Sequence, residues 1–164
     1  MRVGIGFDSH NLVPRRKLVL GGVEIPFELG LEGHSDADVL IHAVIDALFG
    51  AAALGSIGDH FPDTDDGYRG IASTKLLAEA MVQIRNSGLR PVNVDSVIVA
   101  ERPRLAPYIG AMRTKIARIM GLSDDRVSVK ATTTEGKDAT GRGEAIAAHA
   151  VVLLAEDSTP ARGD

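Results

Sequence analysis

The sequence predicts an α+β fold, a single-domain sandwich in which one mixed β-sheet carries helices on one face. Three observations predict it. The chain has 164 residues, of which 45% are apolar, and this suits one domain with its own core. Short β-rich segments alternate with longer segments of helical periodicity. The chain shows neither an internal repeat nor a linker, so we expect one domain over residues 1–157 and a disordered tail over 158–164.

The first third of the chain predicts a strand, a hairpin and a helix. Residues 2–7, "RVGIGF", alternate between small or polar and apolar side chains, which is typical of a strand. Residues 17–26, "KLVLGGVEIP", are two short β-rich pieces around a glycine pair, which predicts a hairpin. Apolar residues recur at helical spacing over 36–54, and Ser35 with Asp38 predicts a capping box at the start of that helix.

The remainder of the chain predicts a loop, two helices and three strands. The stretch 55–70 is rich in Gly, Asp and Pro and predicts a loop that is long for a compact domain. The helices are expected at 73–87 and 106–121, and the strands at 92–101, 125–134 and 143–155. A sheet with helices on one face leaves its other face to be covered, which favours self-association.

Composition excludes several classes of site and partner. The net charge of −4 argues against a nucleic-acid partner, since such proteins usually carry a basic face. There are no cysteines, so any zinc must bind to histidine and carboxylate side chains. We find neither a signal-peptide pattern nor an apolar run approaching the roughly 20 residues of a membrane span, and we therefore expect a cytoplasmic protein without a membrane partner.

Two histidines and an aspartate form a candidate metal site. Asp8 and His10, in "GFDSH", are two residues apart and point to the same side of an extended strand. His42 would complete a set of one carboxylate and two imidazoles, which suits a zinc ion with one position open to substrate. Asp38 or Asp46, each four residues from His42, could hold its other ring nitrogen. The alternative is that the first two are turn or cap residues and that His42 is an ordinary helix histidine.

A second cluster suits phosphate recognition. Residues 130–144, "KATTTEGKDATGRGE", place Thr132–Thr134 at a strand end, with Glu135 and Arg142 following. Hydroxyl and backbone N–H groups can line a phosphate, an arginine can bind it bidentately, and a glutamate can hold a second cation. Alternatively, the threonines merely continue the strand and the glycines turn. The carboxylates of "FPDTD", 61–65, either bind sugar-like hydroxyls or form turns.

The combination of these segments closely resembles the family of 2-C-methyl-D-erythritol 2,4-cyclodiphosphate synthases of the non-mevalonate isoprenoid pathway. The resemblance rests on "GFDSH", "HSDADVLIHAVIDALFGAAALGSIGDHFPDTD", "KATTTE" and "TGRGEAIA" and covers residues 2–155. It implies a lyase that converts 4-diphosphocytidyl-2-C-methyl-D-erythritol 2-phosphate to the 2,4-cyclodiphosphate and releases CMP. It also implies a homotrimer with active sites between adjacent subunits.

The resemblance also implies roles for particular residues. The metal ligands, normally for Zn²⁺, are Asp8, His10 and His42. A second ion, Mg²⁺ or Mn²⁺, would accompany the substrate diphosphate near Glu135, and the transition-state stabilisers would be His34 and Thr133. The substrate-binding residues would be Ser35, Ser56, Ile57, Gly58, Phe61, Pro62, Asp63, Thr64, Asp65, Ala100, Glu101, Arg102, Pro103, Arg104, Leu105, Ala106, Thr132, Thr134, Ala139 and Arg142.

Two positions depart from the family pattern. Ser56 stands where many members have Asp, and Ala139 stands where many carry a larger apolar residue. The smaller Ala139 weakens the expectation that a central cavity holds an isoprenoid diphosphate, as it does in the family. Two other readings stay open: a zinc-dependent phosphohydrolase on the same scaffold, and a non-catalytic trimer that binds metal or nucleotide. Product analysis separates them, because only the synthase forms a cyclic diphosphate together with CMP.

Overall fold

The computed structural model describes residues 1–157 and shows a single α+β domain. The strands are β1 (Arg2–Pro14), β2 (Leu18–Leu20), β3 (Val23–Ile25), β4 (Leu29–Leu31), β5 (Leu89–Val99), β6 (Val127–Thr132) and β7 (Ala145–Glu156). The helices are α1 (Val39–Ala52), α2 (Ile57–His60), α3 (Ser73–Asn86), α4 (Ile109–Met120) and α5 (Asp138–Gly141), with 3-10 turns at Asp66–Tyr68 and Asp124–Arg126. The tail predicted over 158–164 lies outside the described residues.

The five-stranded sheet has the order β4-β1-β7-β5-β6 and is mixed, as predicted. Strand β7 lies at its centre and pairs antiparallel with β1 and β5, whereas β5 and β6 are parallel. Strand β1 runs beyond the predicted 2–7, because pairing with β7 continues from Arg2 to Asn11. This extension carries Asp8 and His10 within the sheet. The predicted hairpin around the glycine pair is confirmed as the separate β2–β3 ribbon.

Helix α1 packs directly on β1 and β7, and two glycines of β1 allow the close approach. A Cβ atom on Gly6 would lie 1.9 Å from the carbonyl oxygen of Ala43, and one on Gly4 would lie 2.0 Å from that of Ala47. Both contacts are with helix backbone, which cannot rotate away. The absence of side chains at these two positions therefore sets the distance between α1 and the strand that carries Asp8 and His10.

The opposite face of the sheet presents apolar side chains to the surface. Val3, Ile5 and Phe7 alternate with the buried glycines of β1 and are 68%, 72% and 54% exposed, and Val151 of β7 is 42% exposed. We call these four residues the apolar sheet face. A group of this kind marks an interaction surface more often than an ordinary solvated one.

The start of α1 differs from the predicted capping box. Asp38, and not Ser35, is the N-cap, since its Oδ1 atom accepts a hydrogen bond from the backbone N–H of Ile41 at 3.1 Å. The same carboxylate accepts the backbone N–H groups of Gly21 at 2.9 Å and Gly22 at 2.6 Å. It therefore joins the β2–β3 turn to the helix. Complete burial raises the pKa of Asp38 to about 6, against the lowering effect of these backbone donors.

The remaining elements follow the prediction, apart from the short elements α2, β4 and α5. The stretch 55–70 is not entirely a loop, because it contains α2, where Ser56 and Asp59 form a capping box. Strand β4 was missed, since three residues give no measurable periodicity. Within residues 1–157, no helix is long and apolar enough to cross a bilayer.

Candidate active site

Asp8, His10 and His42 meet in one cluster beside the sheet. The Oδ2 atom of Asp8 lies 3.0 Å from His10 Nε2 and 2.9 Å from His42 Nδ1. The first two side chains leave β1 on the same side, as the two-residue spacing predicts, and the first turn of α1 supplies the third. One ligand atom from each of the three residues lies within 4.8 Å of the others. The side chains of Asp8 and His10 are each 24% exposed, so the cluster is open on one side.

Hydrogen bonding favours the charged forms of Asp8 and His10. The hydrogen bond from His10 to Asp8 raises the pKa of His10, burial opposes this, and the backbone of Glu32 adds to it as a hydrogen-bond acceptor. Burial acts to raise the pKa of Asp8, but hydrogen bonds from His10 and His42 and their charges outweigh it and hold that pKa well below its usual range. The Asp8 carboxylate is therefore the shared hydrogen-bond acceptor of the cluster.

The donor set fits a zinc ion. One carboxylate oxygen and two imidazole nitrogens converge, and three protein ligands with a fourth position open to a cavity are typical of a catalytic zinc site. Asp8, His10 and His42 would hold such an ion. Carboxylate and imidazole together also bind other divalent metals. The donor set therefore indicates a divalent-cation site and does not by itself identify the metal.

The second nitrogen of His42 binds a residue that the sequence did not indicate. Neither Asp38 nor Asp46 holds it, because Asp38 caps α1 and Asp46 accepts a hydrogen bond from the backbone N–H of Ile57 at 2.7 Å. Instead, Ser73 Oγ at the start of α3 lies 2.9 Å from His42 Nε2. The prediction of a carboxylate one helical turn away was wrong, because both carboxylates are used by backbone donors.

A cavity of about 540 Å³ opens beside the metal cluster. Its lining brings together the three cluster residues, eight predicted site residues and three others: Asp8, His10, His42; His34, Ser35, Ile57, Gly58, Phe61, Pro62, Asp63, Thr64; and Gly33, Tyr68, Leu76. Two predicted residues are absent from this lining. Ser56 donates to Asp59 through its backbone N–H and its hydroxyl, each at 2.8 Å, and Asp65 uses its carboxylate to accept from the backbone of Gly67.

His34 and Ser35 lie on a segment that is fixed at both ends. The Arg16 guanidinium donates to the carbonyl of Gly33 at 2.9 Å and to that of Ser35 at 2.7 Å. The ring of His34 contacts the carbonyl oxygen of Asp65 through Nε2 at 3.1 Å. Arg16 was not identified from the sequence, since a basic residue between two strands carries no motif that indicates its partners. It holds the His34 segment over the cavity.

A second cavity of about 410 Å³ lies at the carboxyl ends of β5 and β6. It is lined by all seven predicted residues of 100–106 and by Ala131, Thr132 and Thr133. Parallel strands place their carboxyl ends at one sheet edge, which is where open sheets commonly bind ligands. The arginines of the first segment and the hydroxyls of the second give this cavity groups that suit phosphate. The two cavities have no lining residue in common in the part of the chain that the structure describes.

Besides Ser56 and Asp65, four predicted residues lie outside both cavities. Thr134 hydrogen-bonds within the following turn, and Glu135 is exposed there with a positive φ of 53°. Ala139 lies in α5 and accepts the N–H of Glu144 through its carbonyl at 2.9 Å. Arg142 donates two hydrogen bonds of 2.9 Å to the carboxylate of the same Glu144. In a single chain, Arg142 is therefore paired with an acid rather than directed at the second cavity.

An α+β fold with a carboxylate–bis-imidazole cluster at one cavity and a phosphate-suited cavity at a sheet edge defines a small-molecule enzyme scaffold with a divalent-metal site. Residues 1–155 match the YgbB family, and the chain belongs to that family.

Named relatives and a solved structure agree with this membership. The chain is 57% identical over 154 residues to a 2-C-methyl-D-erythritol 2,4-cyclodiphosphate synthase of Trichlorobacter lovleyi, covering 94% of this chain and 98% of the relative. It is 60% identical to one of Laribacter hongkongensis, covering 94% and 95%. A synthase structure of the same name in its CDP-bound form superimposes with a TM-score of 0.87 at 40% identity, over 94% of this chain and 100% of the other.

Proposed function

We propose that this protein is a metal-dependent lyase that converts 4-diphosphocytidyl-2-C-methyl-D-erythritol 2-phosphate to 2-C-methyl-D-erythritol 2,4-cyclodiphosphate with release of CMP, in the non-mevalonate isoprenoid pathway. One observation carries the proposal. Relatives that bear this synthase name are 57% and 60% identical to 94% of the chain, and Asp8, His10 and His42 meet in it as a metal cluster.

The reaction needs positioning and charge stabilisation more than a protein nucleophile. An oxygen of the 2-phosphate attacks the β-phosphorus of the diphosphate, and a ring closes. The bond from that phosphorus to the bridging oxygen breaks, and CMP leaves with this oxygen. Because attacking and leaving groups are both anionic, the enzyme must bring like charges together and hold them in line.

The residues of the two cavities suit these tasks. When bound at Asp8, His10 and His42, Zn²⁺ would polarise a phosphate oxygen, and Mg²⁺ or Mn²⁺ near Glu135 would neutralise the diphosphate. His34 reaches the first cavity from the segment held by Arg16 and can donate a hydrogen bond to charge that develops on a phosphate oxygen. Thr133 lines the second cavity and can do the same through its hydroxyl.

The sugar phosphate and the nucleotide would occupy different cavities. The first, with Phe61 and Tyr68 in edge contact at 5.5 Å between ring centroids, offers apolar surface beside polar groups and suits the branched methylerythritol. The second suits the cytidine diphosphate, and a related structure was solved in a CDP-bound form.

We further propose that the chain is a homotrimer and that each active site combines the first cavity of one subunit with the second cavity of a neighbour. Two observations support this. The two cavities share no lining residue among residues 1–157, and the apolar sheet face is uncovered in the single chain. A ring of three subunits uses heterologous contacts, which place two different surface patches together. A cytoplasmic location stays a prediction.

Mixed trimers test the shared site. His42→Ala and Thr133→Ala proteins, each inactive alone, are co-assembled and isolated with two affinity tags. Because each variant leaves one half of the site intact, mixed trimers contain some interfaces with two intact halves, and activity returns there. Verified mixed trimers that stay as inactive as the parents would place both halves of the site in one subunit.

Metal dependence is tested on the wild-type protein. Turnover is followed by phosphorus NMR after treatment with a chelator, and Zn²⁺ and Mg²⁺ are then restored separately and together. We expect activity to be lost on chelation and regained with metal. Full activity of protein verified to contain no metal would contradict the proposed role of the cluster.

A further inference from the structure

A hydrogen-bonded series of three side chains leads from the metal cluster to the start of α3. His42 Nε2 lies 2.9 Å from Ser73 Oγ, and the Ser73 hydroxyl donates in turn to Asp36 Oδ1. The backbone N–H of Ser73 donates to the other oxygen of Asp36 at 3.1 Å. Ser73 is 0% exposed, so bulk water does not compete for these bonds.

The number of available protons fixes the direction of each bond. An ionised carboxylate only accepts, so the single hydroxyl proton of Ser73 points to Asp36. The Ser73 oxygen can then only accept from His42, which places a proton on Nε2 of the ring. Ser35 Oγ lies 3.2 Å from the same nitrogen and offers a second acceptor. A neutral ring with its proton on Nε2 leaves the Nδ1 lone pair available to a metal ion, whereas in the metal-free cluster Nδ1 lies 2.9 Å from Asp8 Oδ2 as a hydrogen-bond partner.

We propose that Ser73 and Asp36 are positioning residues that hold His42 in the tautomer whose Nδ1 is free to bind metal. They touch neither the ion nor the substrate, and the inference rests on the proposed metal site. Asp8 favours the opposite tautomer, in which Nδ1 carries the proton. Its Oδ2 atom lies 2.9 Å from Nδ1 and, without an ion, attracts a proton to that nitrogen. The Ser73–Asp36 pair opposes Asp8 because it holds the ring proton on Nε2. The nitrogen that binds the metal must be unprotonated, so this leaves Nδ1 as the ligand atom.

Two variants remove the pair in different ways. Ser73→Ala deletes the acceptor and leaves Nε2 with the more distant Ser35. Asp36→Asn keeps the size of the side chain but replaces one oxygen by a donor. If the remaining oxygen accepts the Ser73 backbone N–H, the new amide points at the Ser73 hydroxyl. That hydroxyl must then turn its proton toward His42, which favours the wrong tautomer.

The experiment measures zinc affinity and the position of the ring proton. Zinc affinity is determined by competition with a chromophoric chelator, and the His42 ring nitrogens are followed by ¹⁵N NMR with and without zinc. We expect both variants to bind zinc about 10–100-fold more weakly, the usual effect of losing a group that orients a metal ligand. Metal-free Asp36→Asn should carry the ring proton on Nδ1.

Two control variants separate this role from general effects. Ser87→Ala removes a serine hydroxyl at the other end of α3, where it donates to Gln83. Asp46→Asn removes a carboxylate whose charge also acts on His42 but which binds the backbone of Ile57. Both should keep zinc affinity within about threefold of wild type, below the 10–100-fold effect expected of an orienting group.

The outcomes distinguish this inference from the proposed metal site. Wild-type protein that binds no zinc contradicts the metal site itself. Wild-type protein that binds zinc, with Ser73→Ala and Asp36→Asn binding equally well, overturns the positioning role. Should the variants fail to fold, the zinc-loaded wild type still decides: a His42 Nε2 proton protected from solvent exchange supports the role, and a rapidly exchanging one overturns it.

Discussion

Replacing Gly6 by alanine should separate α1 from β1 and thereby disturb the metal cluster. The added Cβ atom would lie 1.9 Å from the carbonyl oxygen of Ala43, the residue that follows His42. An ordinary carbon–oxygen contact is about 3.3 Å, so helix and strand must part by roughly 1.4 Å. A functional constellation tolerates only about 0.5 Å. The substitution is therefore expected to weaken metal binding as well as stability.

The size of the effect follows from the backbone nature of the contact. Overpacking a core costs about 1–3 kcal/mol, and occasionally more. Because the nearest atoms of Ala43 and Ala47 are backbone, we expect the upper end, about 3 kcal/mol. For a chain of this length that lowers the melting temperature by about 6–12 °C.

The assay compares Gly6→Ala with Gly110→Ala at one protein concentration, using thermal unfolding and zinc competition. Gly110 lies in α4, where an added Cβ meets nothing within 4 Å, so that variant should be stabilised by about 0.4–1 kcal/mol. A Gly6→Ala protein with unchanged melting temperature and zinc affinity would refute the argument that glycine sets the distance from helix to strand.

Three further predictions concern pH, stability and assembly. At pH values below the raised pKa of His10, zinc affinity should increase about tenfold for each unit of rising pH, because zinc must displace the proton of His10. Zinc affinity that is independent of pH between 5.5 and 7.5 would contradict this. Buried Asp38 keeps a proton that the unfolded chain loses, so its contribution to the unfolding free energy should fall as pH rises from about 4 to 6. In urea denaturation the difference between wild type and Asp38→Asn should show this fall, and a difference independent of pH would contradict it. Light scattering should find that Ile5→Asp, on the apolar sheet face, dissociates the proposed trimer and that Val82→Asp, at a 48% exposed position on α3, does not. An intact Ile5→Asp trimer would contradict the proposed interface.

Long periodic segments were predicted best because their signal is local. The helix expected at 73–87 is α3, Ser73–Asn86, and the one expected at 106–121 is α4, Ile109–Met120. Asp8 and His10 were placed together by the geometry of a strand alone. The β4 strand and the helices α2 and α5 were missed, since elements of three or four residues carry too few positions for a period.

The supporting contacts of the site could not be predicted from local sequence. Ser73 lies 31 residues after His42, and only the packing of α3 beside α1 brings them together. Asp38 and Asp46 had the right helical spacing from His42, but both carboxylates instead accept hydrogen bonds from backbone N–H groups. Arg142 was expected at phosphate, and its pairing with Glu144 depends on a turn that residue type alone does not fix.

The central claim is an intramolecular attack of one substrate phosphate on another, and an oxygen-isotope experiment tests it most directly. The metal-loaded protein is incubated with the cytidyl substrate in H₂¹⁸O, and the products are analysed by mass spectrometry. We predict CMP and the 2,4-cyclodiphosphate in equal amounts, neither containing ¹⁸O, because the attacking and the departing oxygens both come from the substrate. One ¹⁸O atom in an opened phosphate product would show that water attacks instead and that the protein is a phosphohydrolase.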